Sequence, residues 1–224
     1  GYVDSYEAKA VIIATGASPR EIGAPGEKEY KGRGVSYCST CDAAFYEDET
    51  VYVVGGGDSA VQEALFITNF AKKVYIIHRR DELRASKVLQ EQAFNNDKID
   101  FIWNTTVKEI KGDKIVNEMI LHDTKTGEDR SIKSDEPFGI FVFIGYIPST
   151  EMFEGKVELT EDKYIKTDDE MRTNVPGVFA AGDIRKKTVR QVVNAAGDGA
   201  VAAMNAQKYI DEVEGNLYEG FKEN

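Results

Sequence analysis

The run Gly55-Gly56-Gly57-Asp58-Ser59-Ala60 lies between an apolar stretch, Thr50 to Val54, and a segment with helical spacing through Val61, Ala64, Leu65 and Thr68. A strand that ends in glycines and opens a helix, with a further β-branched run from Val74 to Ile77, reads as a βαβ unit of a parallel sheet. Glycine at the first position permits the tight turn, and at the third it lets the backbone approach a pyrophosphate. Ala60 keeps helix and strand close. Unpaired N–H groups and partial positive charge at the helix start suit that anion. The fold class is α/β, with a Rossmann-like dinucleotide-binding unit.

About twenty residues past the glycines, a unit that binds NAD carries an acidic side chain for the ribose hydroxyls. This chain has His78-Arg79-Arg80 and then Arg84. Arginine grips phosphate oxygens in pairs, so the pattern suits a 2′-phosphate and points to NADPH. The cluster stands out in a chain of 224 residues with a formal net charge of -11, and the same acidity argues against a nucleic-acid partner. The alternative is a solvated basic stripe at a helix start, where positive charge is unfavourable without an anion nearby. Candidate nucleotide contacts are therefore Gly55, Gly57, Asp58, Ser59, Ala60, His78, Arg79, Arg80 and Arg84, with Gly145 at the end of the apolar run Gly139 to Gly145.

Cys38 and Cys41, the chain's two cysteines, stand in C-x-x-C spacing within Cys38-Ser39-Thr40-Cys41-Asp42. In such a pair one sulfur attacks a target disulfide and the other resolves the mixed disulfide. Zinc is the main competing reading, but a structural site usually takes four ligands, and His78 and His122 do not complete a set, so no metal is expected. Inert buried thiols are the other reading. Asp42 is a candidate general acid for a departing thiolate or reduced cofactor, or else a helix-cap or turn carboxylate.

Further along, Ala17 to Lys31 reads as a connector. Asp58 to Phe70 and Ser86 to Asn95 read as helices, and Phe101 to Trp103, Ile115 to His122 and Arg130 to Lys133 as strands, the last two joined by a turn at Lys125-Thr126-Gly127. Gly139 to Gly145 has the two-sided apolarity of a central parallel strand. Val178 to Asp183 reads as another strand ending at Gly-Asp, and Val192 to Tyr209 as an alanine-rich helix. No apolar run approaches the roughly 20 residues of a membrane helix, and residues 1–20 lack a signal-peptide layout, so a cytoplasmic protein with no membrane partner is expected.

With these motifs, the chain resembles the low-molecular-weight bacterial thioredoxin reductases from about Ala10 to Ala206. The resemblance rests on Ala14-Thr15-Gly16-Ala17, on Gly32 to Tyr37 leading into the cysteine pair, on the glycine turn and on His78 to Ala85. It continues through Gly177-Val178-Phe179-Ala180-Ala181-Gly182-Asp183 and Arg190-Gln191. It implies a flavoprotein of the two-dinucleotide-binding-domain type, in which an NADPH domain at 21–145, carrying the C-x-x-C, is inserted in the remnant of a FAD domain at 1–20 and 146–224. Gly182, Asp183, Arg190 and Gln191 would contact FAD, Cys41 would face the flavin, and Cys38 would attack thioredoxin. Electrons would pass from NADPH through FAD to the Cys38–Cys41 disulfide and on to thioredoxin, in a homodimer. Members of the family begin with a glycine-rich FAD-binding segment, so the resemblance also implies that the chain is a fragment. Two alternatives follow: an NADPH-binding fragment without turnover, or the reductase part of an alkyl hydroperoxide reductase system.

Overall fold

The computed structural model describes residues 4–216, so the extreme ends of the segments read as 1–20 and 146–224 lie outside the described residues. Contacts divide the chain into two compact units, residues 1–18 with 146–224, and residues 19–145. Strands in chain order are β1 (Val11–Ile13), β2 (Ala17–Pro19), β3 (Val35–Ser36), β4 (Thr50–Val54), β5 (Lys73–Ile77) and β6 (Ile99–Ile102). They continue with β7 (Thr105–Gly112), β8 (Val116–Asp123), β9 (Asp129–Lys133), β10 (Gly139–Val142), β11 (Tyr146–Pro148) and β12 (Val178–Ala180). The helices are α1 (Ser39–Asp42), α2 (Asp58–Ile67), α3 (Lys87–Phe94) and α4 (Val192–Glu214).

In the unit 19–145, five parallel strands form a sheet in the order β3-β10-β4-β5-β6. Central β4 shows why its sequence is apolar without alternation. Val51 and Val53 face one core with Val61, Ala64 and Ile67 of α2, while Tyr52 and Val54 face a second core with Val107, Met119 and Leu121 of β7 and β8. Both faces are covered, so after Thr50 at its open end every position along the strand, Val51 to Val54, is buried. Each fully buried valine here contributes roughly 1.5–3 kcal/mol of transfer free energy.

The second face is covered by an antiparallel sheet in the order β7-β8-β9. Here the structure departs from the sequence reading, which has no strand between Trp103 and Ile115. β7 buries Thr105, Val107 and Ile110, and a register shift between Val107 and Glu109 moves the inward position by one residue. A bulge of this kind erases the period of two that marks a strand. Several other elements are shifted at their ends, among them α2, β10 and α4. Helix α2 stops at Ile67 rather than Phe70, where the Thr68 hydroxyl donates to Leu65 O at 2.7 Å. Strand β10 stops at Val142, and Gly145 follows in the left-handed region at φ 112°. Helix α4 runs beyond Tyr209 to Glu214 and is closed by Gly215 at φ 75°.

In the other unit, β1 and β12 pair in parallel, Val11 opposite Val178 and Ile13 opposite Ala180. Ala202 and Ala206 of α4 pack with Phe179 and Met171. The alanine-rich helix sequence follows from that packing, since small side chains let the helix approach β12. β2 pairs with β11 in a separate two-stranded sheet.

Candidate functional site

Strand β4 delivers the chain into Gly55, Gly56 and Gly57, and α2 begins at Asp58. Gly55 takes φ 153°, and a Cβ there would lie 2.5 Å from Phe143 O and 2.6 Å from the Ala60 Cβ. At Gly56 a Cβ would lie 2.3 Å from His78 Nδ1, whereas at Gly57 nothing comes within 4 Å. The first two glycines are thus required by the protein's own packing, and the third leaves open space at the helix start. That space belongs to a cavity of about 510 Å³, lined by Gly55 to Ala60, His78, Arg79, Arg84 and Gly145, and also by Arg20, Thr105, Thr106 and Ile144. Gly145 O accepts a bond from Arg20 N at 2.8 Å.

Leu83 and Ala85 are buried in the α2 core while Arg84 between them is exposed, so the loop after β5 alternates inward and outward. Arg84 N donates to Gly56 O at 2.7 Å, and Ser86 N donates to Asp58 Oδ1 at 2.6 Å. The arginine loop is folded back over the glycine turn, and the Asp58 carboxylate is occupied in holding the start of α3. Arg79 and Arg84 line the cavity, while Arg80 does not and stands exposed beside it. Among the described residues no carboxylate forms an ion pair with Arg79, Arg80 or Arg84, although the chain's acidic side chains pair with many of its lysines. His78 is buried beneath Gly56 with its Nε2 unpartnered. Burial first, and then the charges of Arg84, Arg80 and Arg79, hold its pKa below the ordinary histidine value, which favours the neutral ring.

Cys38 and Cys41 form a disulfide across the single turn of α1, with Cα atoms 5.3 Å apart. Cys38 is half-buried and Cys41 exposed. Cys38 N donates to Ser36 Oγ at 3.1 Å, and Ser36 Oγ donates to Asp42 Oδ2 at 2.6 Å. Asp42 is therefore anchored through a buried serine beside the sulfurs. Ser39, between the cysteines, is buried and its hydroxyl donates to Glu63 Oε2 of α2. Glu63 lies five residues along α2 from Asp58, or roughly 8 Å at the helical rise, so one helix connects the disulfide turn to the glycine turn. Glu63 carries no motif signal, since it acts through Ser39, 24 residues away, and Ser36, though within the Gly32 to Tyr37 stretch, shows its role only in the folded turn. Among the described residues no group of three His, Cys, Asp or Glu side chains is arranged to hold a metal ion.

In the other unit, β12 leads to Gly182 at φ 77°, whose N–H donates to Asp198 Oδ2 of α4 at 3.0 Å. Lys187 Nζ lies 2.9 Å from the same carboxylate and Arg185 Nη1 3.3 Å from its other oxygen. These contacts offset burial and hold Asp198 below the usual carboxylate pKa. Asp183 Oδ1 and Arg190 Nε are buried without a hydrogen-bond partner, although Lys187 Nζ lies 3.7 Å from Asp183 Oδ1, and the Arg190 guanidinium lies 4.3 Å over the Tyr164 ring and 5.8 Å from that of Tyr146. Gln191 is the N-cap residue of α4. A buried acceptor just past the end of a parallel strand and a buried donor in the following loop, neither of them hydrogen-bonded, fit a ligand rich in hydroxyl and ring-edge polar groups.

The model of the pyridine nucleotide-disulphide oxidoreductase family matches residues 2–199. A thioredoxin reductase of Peptoclostridium litorale is 59% identical over 216 residues, covering 95% of this chain and 69% of the relative. One from Bacillus subtilis (strain 168) is 52% identical over 213 residues, covering 95% and 66%. The crystal structure of thioredoxin reductase from Streptococcus pyogenes MGAS5005 superposes with a TM-score of 0.88 at 50% identity, covering 93% of this chain and 68% of that one. The chain thus spans about two thirds of the length of these relatives. The chain therefore belongs to the pyridine nucleotide-disulphide oxidoreductase family, among its thioredoxin reductases.

Proposed function

We propose that the chain serves the NADPH-dependent reduction of the disulfide of thioredoxin, with Cys38 and Cys41 as the exchanging sulfurs. Its family implies a flavin and a nicotinamide dinucleotide. The observation that carries the reading is the presence, in one compact unit, of a formed C-x-x-C disulfide and a glycine cradle flanked by three arginines without carboxylate partners. Arginines left unpaired in a chain of net charge -11 favour NADPH over NADH. Asp183 and Arg190, with their open polar atoms, fit FAD as the flavin, together with Gly182 and Gln191. A flavin, when bound, supplies two-electron transfer between a hydride donor and a disulfide.

The dithiol form of the pair does the exchange. The Cys38 thiolate attacks one sulfur of the thioredoxin disulfide, forming a mixed disulfide and releasing one thioredoxin thiolate. Cys41 then attacks Cys38 Sγ, which restores the Cys38–Cys41 bond and releases the second thiolate. Asp42, held by the Ser36 hydroxyl next to Cys41, is placed to protonate a departing thiolate. A homodimer is part of the same reading, supported by the exposed apolar residues Val192, Val193, Val201 and Met204 along α4.

The test is a trapping experiment with oxidised thioredoxin. Reduced Cys41→Ser protein should form a covalent adduct through Cys38, seen by mass spectrometry and released by a reductant, and Cys38→Ser should form much less. Absence of an adduct with Cys41→Ser would refute the assignment.

A further inference from the structure

The carbonyl oxygens of three successive residues in the basic loop are each held from outside it. Thr105 N donates to His78 O at 3.0 Å and Asn104 N to Arg80 O at 3.1 Å. Between them, the Thr124 hydroxyl lies 3.3 Å from Arg79 O and 2.9 Å from Asn104 O, a donor shared by the two. Asn104 occupies the left-handed region at φ 51°, which asparagine tolerates better than most residues. Its carbonyl also accepts Thr124 N at 2.6 Å.

Thr124 sits in the turn between β8 and β9, and that turn is closed by its own sequence. Asp123 Oδ1 accepts Lys125 N at 2.8 Å and Thr126 N at 2.9 Å, and Gly127 N donates to Asp123 O at 2.9 Å. The same turn puts Lys125 Nζ 2.7 Å from Asp81, the first carboxylate after the two arginines. None of residues 123–127 lines the nucleotide cavity. The turn touches the arginine loop and not the space the loop faces.

We propose that the turn from Asp123 to Gly127 is a specificity-determining element acting through the arginines. Thr124 fixes the backbone from which Arg79 and Arg80 reach a 2′-phosphate, and Lys125 masks the Asp81 carboxylate, which would otherwise compete with that phosphate for the guanidinium groups. A loop fixed beforehand loses less freedom when the anion arrives. The inference rests on NADPH being the nucleotide.

Calorimetric titration of NADP+ and NAD+ onto the full chain tests it, without need of turnover. Thr124→Val should weaken NADP+ about fivefold, the equivalent of one net hydrogen bond, leave NAD+ within about twofold, and be rescued by Thr124→Ser. Lys125→Met, at a pair whose side chains are 61% and 63% exposed, leaves the core untouched. It should also weaken NADP+, and adding Asp81→Asn should restore binding. If Lys125 acted by touching the phosphate itself, the double variant would stay weak and the masking role would fall. Wild-type NADP+ affinity in both single variants, or equal loss of NADP+ and NAD+ in Thr124→Val, would overturn the proposal. A wild-type chain that binds NAD+ as tightly as NADP+ would instead remove the nucleotide reading beneath it.

Discussion

A methyl group at Gly56 would collide with the buried His78 ring at 2.3 Å, and the same residue's carbonyl holds Arg84 N. Gly56→Ala is therefore expected to lower stability by about 1–3 kcal/mol, as overpacking does, and to disturb nucleotide binding with it. Gly57→Ala meets no atom within 4 Å and should leave the urea midpoint nearly unchanged while still weakening NADP+, because it intrudes only on the ligand's space. Equal stability losses in the two variants would contradict this division of roles. For the arginines, Arg79→Ala with Arg80→Ala should raise the NADPH Michaelis constant at least about tenfold, or about 1.4 kcal/mol, with little change for NADH. Steady-state kinetics with both nucleotides decides the point. At this scale the sequence exposes the glycines, the arginines and the cysteines, because local spacing alone marks them. It does not expose Thr124, which reaches Arg79 across 45 residues, or Glu63, which reaches Ser39 across 24. Such partners exist only once the chain has closed those loops.

Helix α2 is the element that joins the two halves of the site, opening at the glycine turn and bonding to Ser39 through Glu63. Removing the bond with Ser39→Ala should cost about 1 kcal/mol. Glu63 also gives the link a pH signature, since burial raises its pKa above the ordinary glutamate value. The native carboxyl then holds its proton at pH values where the unfolded one has lost it. Stability contributed by this group falls as pH rises from the ordinary glutamate range through the raised value. Urea unfolding of Glu63→Gln should show a weaker decline across that window than wild type, and an identical decline would mean that Glu63 is not the responsible group. Elements were legible in proportion to the regularity of their burial. β4, β5 and α2 announce themselves because every position after the first, or every helical position on one face, is apolar or aromatic. β7 does not, because its bulge shifts Ile110 into the place an unbroken alternation would give Glu109. The two- and three-residue strands β2, β3 and β11 are too short for any period to show.

On the scale of the whole molecule, one chain carries a unit built for a nucleotide and a disulfide and a second unit with polar atoms left open at Asp183 and Arg190. The proposed function assigns the second set to a flavin and the exposed apolar residues on α4 to a second copy of the chain, and both assignments are open to test. Val201→Glu with Met204→Glu should halve the mass in sedimentation if that face is the dimer contact, while a mass unchanged by both charges would place the contact elsewhere. The proposed function requires that NADPH drive the opening of the Cys38–Cys41 bond. Its most direct measurement is anaerobic titration of the FAD-loaded protein with NADPH, followed by alkylation and mass spectrometry of both cysteines. The expected result is two alkylated thiols in wild type and far fewer in Arg79→Ala/Arg80→Ala at the same NADPH concentration. A disulfide that stays closed in the wild type at saturating NADPH would contradict the account.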